Sequence, residues 1–356
     1  MRMSPATYAI GSTIVILLLT SCGGSTTLSM PTASEASQSR TIKHLTSSCP
    51  CLYVADLNAP QGGAVTVYPS SANGNVKPIQ QIAGYNTGIF DPRGVAVDGT
   101  GKIYVVEEGG GGPGTINVYA PGATGNVAPI QSITGSNTLM EGSDGIAINP
   151  VNGDIYVTNE PIPPSGNGSI LIFPNNANGN VAPSGIIAGS NTGLYNNLAV
   201  ALDGSGNIYA TNYISSASRN SITVYAAGST GNVSPMRTIK GGLTKLTGPE
   251  GLALDSNSNV YVANFPRSVT VYASGANGNV APIQLIKGSA TKLKYTSGVA
   301  VDSSSNIYAS NGAGYGGVSR SFVTVYASGA NGNVPYIQRI KGTKTGLGGP
   351  DGITIH

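Results

Sequence analysis

Gly94-Val95-Ala96-Val97-Asp98-Gly99-Thr100-Gly101-Lys102-Ile103-Tyr104-Val105-Val106 is the stretch that decides the fold. Residues 94–97 are small or β-branched, which suits a short strand pressed against a crowded centre. Asp98 to Gly101 makes a turn: an Asp side chain bonds the backbone two residues on, and Gly accepts a positive φ. The apolar run Ile103 to Val106 then reads as a second, buried strand.

Outward from this hairpin the same pattern recurs along the chain. The tyrosine segment returns as Leu52-Tyr53-Val54-Ala55, Ile155-Tyr156-Val157-Thr158, Ile208-Tyr209-Ala210-Thr211, Val260-Tyr261-Val262-Ala263 and Ile307-Tyr308-Ala309-Ser310. Its six tyrosines are 47 to 53 residues apart, a period that suits one four-stranded propeller blade. We label the four segments of a unit a to d. Segment a begins at Gly94, Gly145, Ala199, Gly251, Gly298 and Gly352, and segment b carries the tyrosine. Segment c alternates β-branched residues with Tyr, as in Ile222-Thr223-Val224-Tyr225. A hairpin such as Ala273 to Val280 leads to segment d, as in Ile283-Gln284-Leu285-Ile286-Lys287-Gly288. Lys240, Lys287, Arg339 and Lys341 fall on this outer segment, where charge discourages edge-to-edge pairing.

The first unit starts at segment b near Leu52, and the chain ends on a lone segment a, Gly352-Ile353-Thr354-Ile355-His356. Joining these two partial units makes one blade. The expected fold is therefore all-β: a six-bladed propeller over residues 49–356, closed by the C-terminal strand in the N-terminal blade. This register puts Cys49 and Cys51 in the a–b turn, beside His356. A Cys/Cys/His metal site, two free thiols or a Cys49–Cys51 bond are the options there.

Residues 1–22 read as a lipoprotein signal: Arg2, an apolar run from Ile10 to Leu19, then Leu19-Thr20-Ser21-Cys22. This resembles a bacterial lipobox, with Cys22 as the lipidated residue and Gly23 favouring the outer membrane or cell surface. Residues 23–48 are Gly/Ser/Thr-rich and suit a flexible tether. The membrane would then be met only through the lipid. Charged residues make up only 9% of the chain, and the formal charge is +3 with no long basic run. Nucleic acid is therefore not an expected partner.

The motif Gly-Val-Ala-Val-Asp, a turn, then Asn-Ile-Tyr-Val-x-Asn resembles the NHL-repeat propellers and, more loosely, the regucalcin/gluconolactonase superfamily. The resemblance spans residues 50–356 and implies the propeller fold. In propellers of this kind the b–c and d–a loops share a face that is usually the binding face. Here the b–c loops vary most, over 107–114, 159–168, 212–220 and 311–320. Tyr213 and Tyr315 lie in two of them and could contact sugar or peptide.

The residue before segment a is, from the first blade on, Asp351, Arg93, Asp144, Leu198, Glu250 and Ser297. Asp144, Glu250 and Asp351 fall on alternate blades, so they should face the channel mouth with threefold spacing, with Arg93 between two of them. In regucalcin-like lactonases an Asn or Asp in a similar x-Gly setting binds a catalytic divalent metal. No cofactor is expected from the sequence, though three carboxylates also suit calcium or another divalent cation. A serine triad has no base, because the only two histidines are His44 in the tether and His356 at the opposite face. The sequence thus reads as a non-enzymatic module binding a protein, peptide or glycan at its loop face, with Arg93, Tyr213 and Tyr315 as ligand contacts. A divalent-metal-dependent lactonase or related hydrolase is the alternative.

Overall fold

Small residues at segment a, β-branched residues at b and c, and Asp/Gly turns between them produce 24 strands in six four-stranded antiparallel sheets among the described residues. The computed structural model describes residues 50–59, 62–109, 113–160, 167–214, 219–312 and 320–356. The innermost strands are Pro350–Ile355, Pro92–Val97, Ile146–Ile148, Val200–Leu202, Pro249–Leu254 and Thr296–Val301, for blades 1 to 6 in order. Cys22, Cys49 and Tyr315 lie outside the described residues. Among the described residues no helix is long and apolar enough to cross a membrane.

Closure runs as the split unit requires. The C-terminal strand Pro350–Ile355 pairs antiparallel with Cys51–Ala59, matching Leu52 to Ile355 and Val54 to Ile353. The Cys51 N–H donates to the His356 carbonyl at 2.7 Å, and the His356 N–H donates back to the Cys51 carbonyl at 3.0 Å. Cys51 therefore does lie beside His356. It is disulfide-bonded, so it offers no thiolate and the Cys/Cys/His metal option does not hold.

The a–b turns follow from their Asp residues. Asp203 Oδ1 accepts from the N–H groups of Ser205 and Asn207, and Asp255 and Asp302 repeat the pattern. Their second oxygens accept from the strand-b hydroxyls of Tyr209, Tyr261 and Tyr308. Strand-c tyrosines tie in the connection that enters their own blade: Tyr225 donates to the Thr192 carbonyl and Tyr326 to the Thr291 carbonyl.

The core is not central. It is six apolar wedges, each shared by neighbouring blades, such as Tyr104, Ile116 and Ile133 of blade 2 against Ile155, Leu171 and Phe173 of blade 3. The outer edge is stapled as well. Each c–d hairpin places a glycine against strand d of the preceding blade, as in Gly278 beside Ile239 and Gly74 beside Ile340. The following Asn accepts from the preceding blade's connection: Asn279 from the Leu243 N–H at 2.9 Å, Asn75 from the Lys344 N–H at 2.8 Å. All six junctions carry this clamp. The outer strand edge is thus covered by backbone and Asn in every blade, and the lysines on it are not needed for that purpose.

Candidate functional site

The residue just before the start of segment a, at Gly94 and its equivalents, reaches the axis because the innermost strands crowd there. A Cβ on Gly298 would lie 2.3 Å from the Asp351 carbonyl oxygen, and one on Gly251 would lie 2.4 Å from that of Ser297. Real Cβ contacts are never this short, so glycine at these positions is a packing requirement. The x-Gly pattern that resembles a metal-site motif is therefore accounted for by the close approach of neighbouring backbones. It sets one residue per blade at the mouth: Arg93, Asp144, Leu198, Glu250, Ser297 and Asp351 all line one cavity of about 460 Å³.

Arg93 organises the charge in it. Its guanidinium pairs with Asp351 at 3.7 Å, Asp144 at 3.8 Å and Asp91 at 3.6 Å, and also with Glu108. Burial alone would lower the Arg93 pKa, but Asp144, Asp351, Asp91 and Glu108 together hold it above the usual value. Its Nε is buried and donates no hydrogen bond among the described residues. Asp144 is pushed well up, first by burial, then by the charges of Glu160 and Asp351, against the pull of Arg93. It hydrogen-bonds Glu160, whose own pKa burial also raises. Asp351 rises to about 6 through burial, opposed by Arg93 and by a hydrogen bond from Ser297. Glu250 rises to about 8, by burial and then by the charge on Asp351.

The three carboxylates expected to hold calcium thus do face one cavity. They do not fit a hard divalent ion. A guanidinium stands beside two of them, and its positive charge opposes that of an incoming cation. Among the described residues no three His, Cys, Asp or Glu side chains are grouped to hold a metal ion. The arrangement offers instead an excess of oxygen acceptors around one cation, walled on one side by Phe265.

Tyr213 is half-buried and does not line this cavity; its ring packs toward Gly248, 3.5 Å from where a Cβ would stand. Sequence reasoning missed Asp91, Glu108, Glu160 and Phe265, because only the fold brings them to Arg93 or to the cavity wall. It also missed the last residue of strand b. Asn212, Asn264 and Asn311 accept there from the N–H groups of Tyr195, Thr247 and Lys294. In blades 1 and 2 carboxylates take the same position. Asp56 accepts from the N–H groups of Gly348 and Gly349, and Glu107 from those of Phe90 and Asp91. Burial raises both, Asp56 to about 6 and Glu107 to about 7. Aligning the repeats by their Asn would have exposed this substitution.

No protein-family model matches the chain, and no curated protein matches it. Solved structures do resemble it. A chain from the nidogen/laminin complex superposes with a TM-score of 0.58 at 14% identity, covering 86% of this chain and 98% of that one. A protein of unknown function from Bacteroides caccae does so with a TM-score of 0.57 at 12% identity, covering 86% and 99%. At such identity the likeness shows the propeller fold alone.

Proposed function

We propose that this propeller is an exported, lipid-anchored binding module that takes a ligand or a partner protein at the loop-bearing mouth of its channel. The observation carrying this reading is the Arg93 cluster: one guanidinium among four carboxylates, at the end of a cavity of about 460 Å³ to which every blade contributes. Enclosed cavities with a few convergent polar groups are the usual form of ligand sites. The excess of acceptors favours groups that donate: an amine, a hydroxyl-rich sugar, or a Lys or Arg side chain from a protein partner. Arg93 Nε, which faces Asp91 and Asp144 at ion-pair distance without a hydrogen bond, adds one donor for an acceptor on the same ligand. Export and anchoring rest on the lipobox-like Leu19 to Cys22, and the NHL-like character on the repeat motif.

The test is a thermal-shift screen of the full chain with amino sugars, diamines and lysine-containing peptides, repeated on an Asp351→Asn variant. Ligands that stabilise the wild type by mass action and lose that effect in the variant support the site. A screen in which none does so removes it. For the anchor, Cys22→Ser should abolish labelling by a radioactive fatty acid, and labelling that persists refutes lipidation. Nothing in the site favours the metal-dependent hydrolase. Millimolar calcium should leave the melting temperature unchanged, and a rise that Asp351→Asn abolishes would restore that alternative.

A further inference from the structure

The formal charge of +3 conceals a strong segregation. Residues 50–202 carry nine Asp/Glu against three Lys/Arg, whereas residues 203–349 carry four Asp/Glu against twelve Lys/Arg. Folding sharpens the split. The acids turn inward, to the channel mouth, the a–b turns and the ends of strand b, and Glu141 is the one exposed acid among the described residues, the others being buried or half-buried. Nine Lys or Arg are exposed there, and eight of them lie between residues 219 and 344. Every ion pair among the described residues is made by Arg93, so none of these eight is neutralised by one.

The repeat provides an internal control. Each d–a connection has the form Ile-x-Gly-x-x-Thr-x, and in each the Thr hydroxyl donates to the Gly carbonyl three residues earlier. After blades 1 to 3 the x following Ile is Ala83, Thr134 and Ala188; after blades 4 to 6 it is Lys240, Lys287 and Lys341. The position after Thr is left-handed in all six. Gly88, Leu139, Gly193 and Gly346 fill it at four junctions with φ of 60° to 76°, while Lys245 and Lys292 fill it at the other two with φ of 63° and 61°. The connection forms equally well without lysine, so folding does not call for these cations. At two junctions a lysine stands in a conformation where glycine is the unstrained choice.

Between blades 5 and 6 these side chains line a cleft of about 500 Å³, with Arg267, Lys287, Lys292 and Lys294 in its wall. Next in the chain to its wall residue Lys294, Tyr295 stacks on Phe265 with ring centroids 5.8 Å apart, and Lys294 Nζ lies 5.5 Å from the Tyr295 centroid. We propose that the rim of blades 4 to 6 binds an acidic polysaccharide, a chain bearing uronate or sulfate groups. The lysine pairs, repeated at successive junctions, meet its regularly spaced anions. The concave cleft with its aromatic pair accommodates a sugar ring, which a flat bilayer would not enter. The lysines that carry this proposal do not line the Arg93 cavity, and Phe265 is the one residue named in both places.

The test is binding of the full chain to immobilised polygalacturonate and chondroitin sulfate, with neutral dextran, single-stranded DNA and phosphatidylglycerol vesicles as the other arms. Binding should be absent on dextran and should weaken roughly tenfold or more between 50 and 200 mM salt. The variant Lys240→Ala/Lys245→Gly/Lys287→Ala/Lys292→Gly installs the residues of blades 1 and 3. It should melt no lower than wild type and lose at least about tenfold in affinity, as expected for removing several phosphate-like contacts. Lys102→Ala, on the a–b turn of blade 2 and off this arc, should bind as wild type does. Absence of binding to either acidic glycan, unchanged affinity in the quadruple variant, or tighter binding to DNA or vesicles than to both glycans would each overturn the proposal.

Discussion

The channel mouth and the rim of blades 4 to 6 are both charged, but their charges stand in opposite relation to the fold. At the mouth, Asp144 and Asp351 from two blades meet a single Arg93 from a third, so the cluster ties blades 1, 2 and 3 together. At the rim, each lysine stands alone in a connection that other blades build without it. Mouth charges are coupled through a low-dielectric space, where pairing and desolvation are both large. Rim charges are in water, where each adds little to stability but all add to the field a ligand meets. Substitutions should therefore change stability and its pH dependence at the mouth, and binding alone at the rim.

The most severe way to break the mouth is to remove residues 350–356. This takes Asp351 from Arg93 and the innermost strand from blade 1, with Ile353 and Ile355 packed on the blade 6–blade 1 wedge. Two such side chains contribute roughly 2 kcal/mol each, and the strand's ladder bonds about 1 kcal/mol each. Their sum approaches the whole stability of a typical domain, about 5–15 kcal/mol. The truncated chain should show no cooperative thermal transition, and a melting temperature equal to wild type would refute closure through the termini.

Arg93→Met comes next. It leaves the carboxylates of Asp91, Glu108, Asp144 and Asp351 without their counter-charge, a loss of roughly 1–2 kcal/mol at pH 7 for a cluster whose side chains are 21–37% exposed. The loss should shrink toward pH 4, where Asp351, raised to about 6, is protonated and needs no cation. Urea denaturation at the two pH values reads both numbers. A loss that is the same at pH 4 and pH 7 would mean that Arg93 acts through packing of its stem and not through charge.

Glu250→Gln sharpens the comparison at one group. A carboxyl whose folded pKa is raised holds its proton after the unfolded chain has released it. The native state then binds more protons, and stability falls as pH rises from the unfolded value, near 4.5, to about 8. Asp56 and Asp351 act with the same sign up to about 6, and Glu107 up to about 7. Asp98 acts with the opposite sign: burial raises it, but hydrogen bonds from Thr100, Lys102 and Tyr104 outweigh that and leave it low. The wild type should therefore lose stability between about pH 4.5 and 8. Glu250→Gln should recover about 1–2 kcal/mol at pH 8, allowing for solvent in the channel, and nothing at pH 4. Equal effects at both ends would show that Glu250 does not carry the slope.

The strands, the Asp-led turns and the split blade were legible in the sequence because each is local and repeated, so that Tyr104 and its kin mark every blade. The mouth was legible as a ring of positions but not as chemistry. Arg93 could be placed between Asp351 and Asp144 by counting blades, yet its pairing with Glu108 and Asp91 depends on loops whose paths no period describes. The Gly-Asn of each c–d hairpin reads locally as a turn, and only the neighbouring blade reveals Asn279 as a clamp on the Leu243 N–H. Lys240, Lys287 and Lys341 were legible on the outer strand but read there as edge protection, because acids and bases nearly cancel over the chain, while burial of the acids, which a sum cannot register, leaves the cations on the surface.

The smallest expected effect lies at the rim. Lys245 and Lys292 stand at φ of 63° and 61°, where an L-residue is disfavoured by about 1–2 kcal/mol and glycine is not. Glycine loses more backbone freedom on folding, which returns roughly 0.5–1 kcal/mol in the other direction. Lys245→Gly and Lys292→Gly should each therefore be neutral or stabilising, by up to about 1 kcal/mol. Neither lysine makes an ion pair among the described residues that would be lost with it. Gly88 and Gly193 already show that the connection closes with glycine there. Chemical denaturation of the two single variants at neutral pH measures the change. A loss above about 1 kcal/mol in either would mean that the lysine stem packs on the blade and belongs to the fold, and the contrast between mouth and rim would fail at that junction.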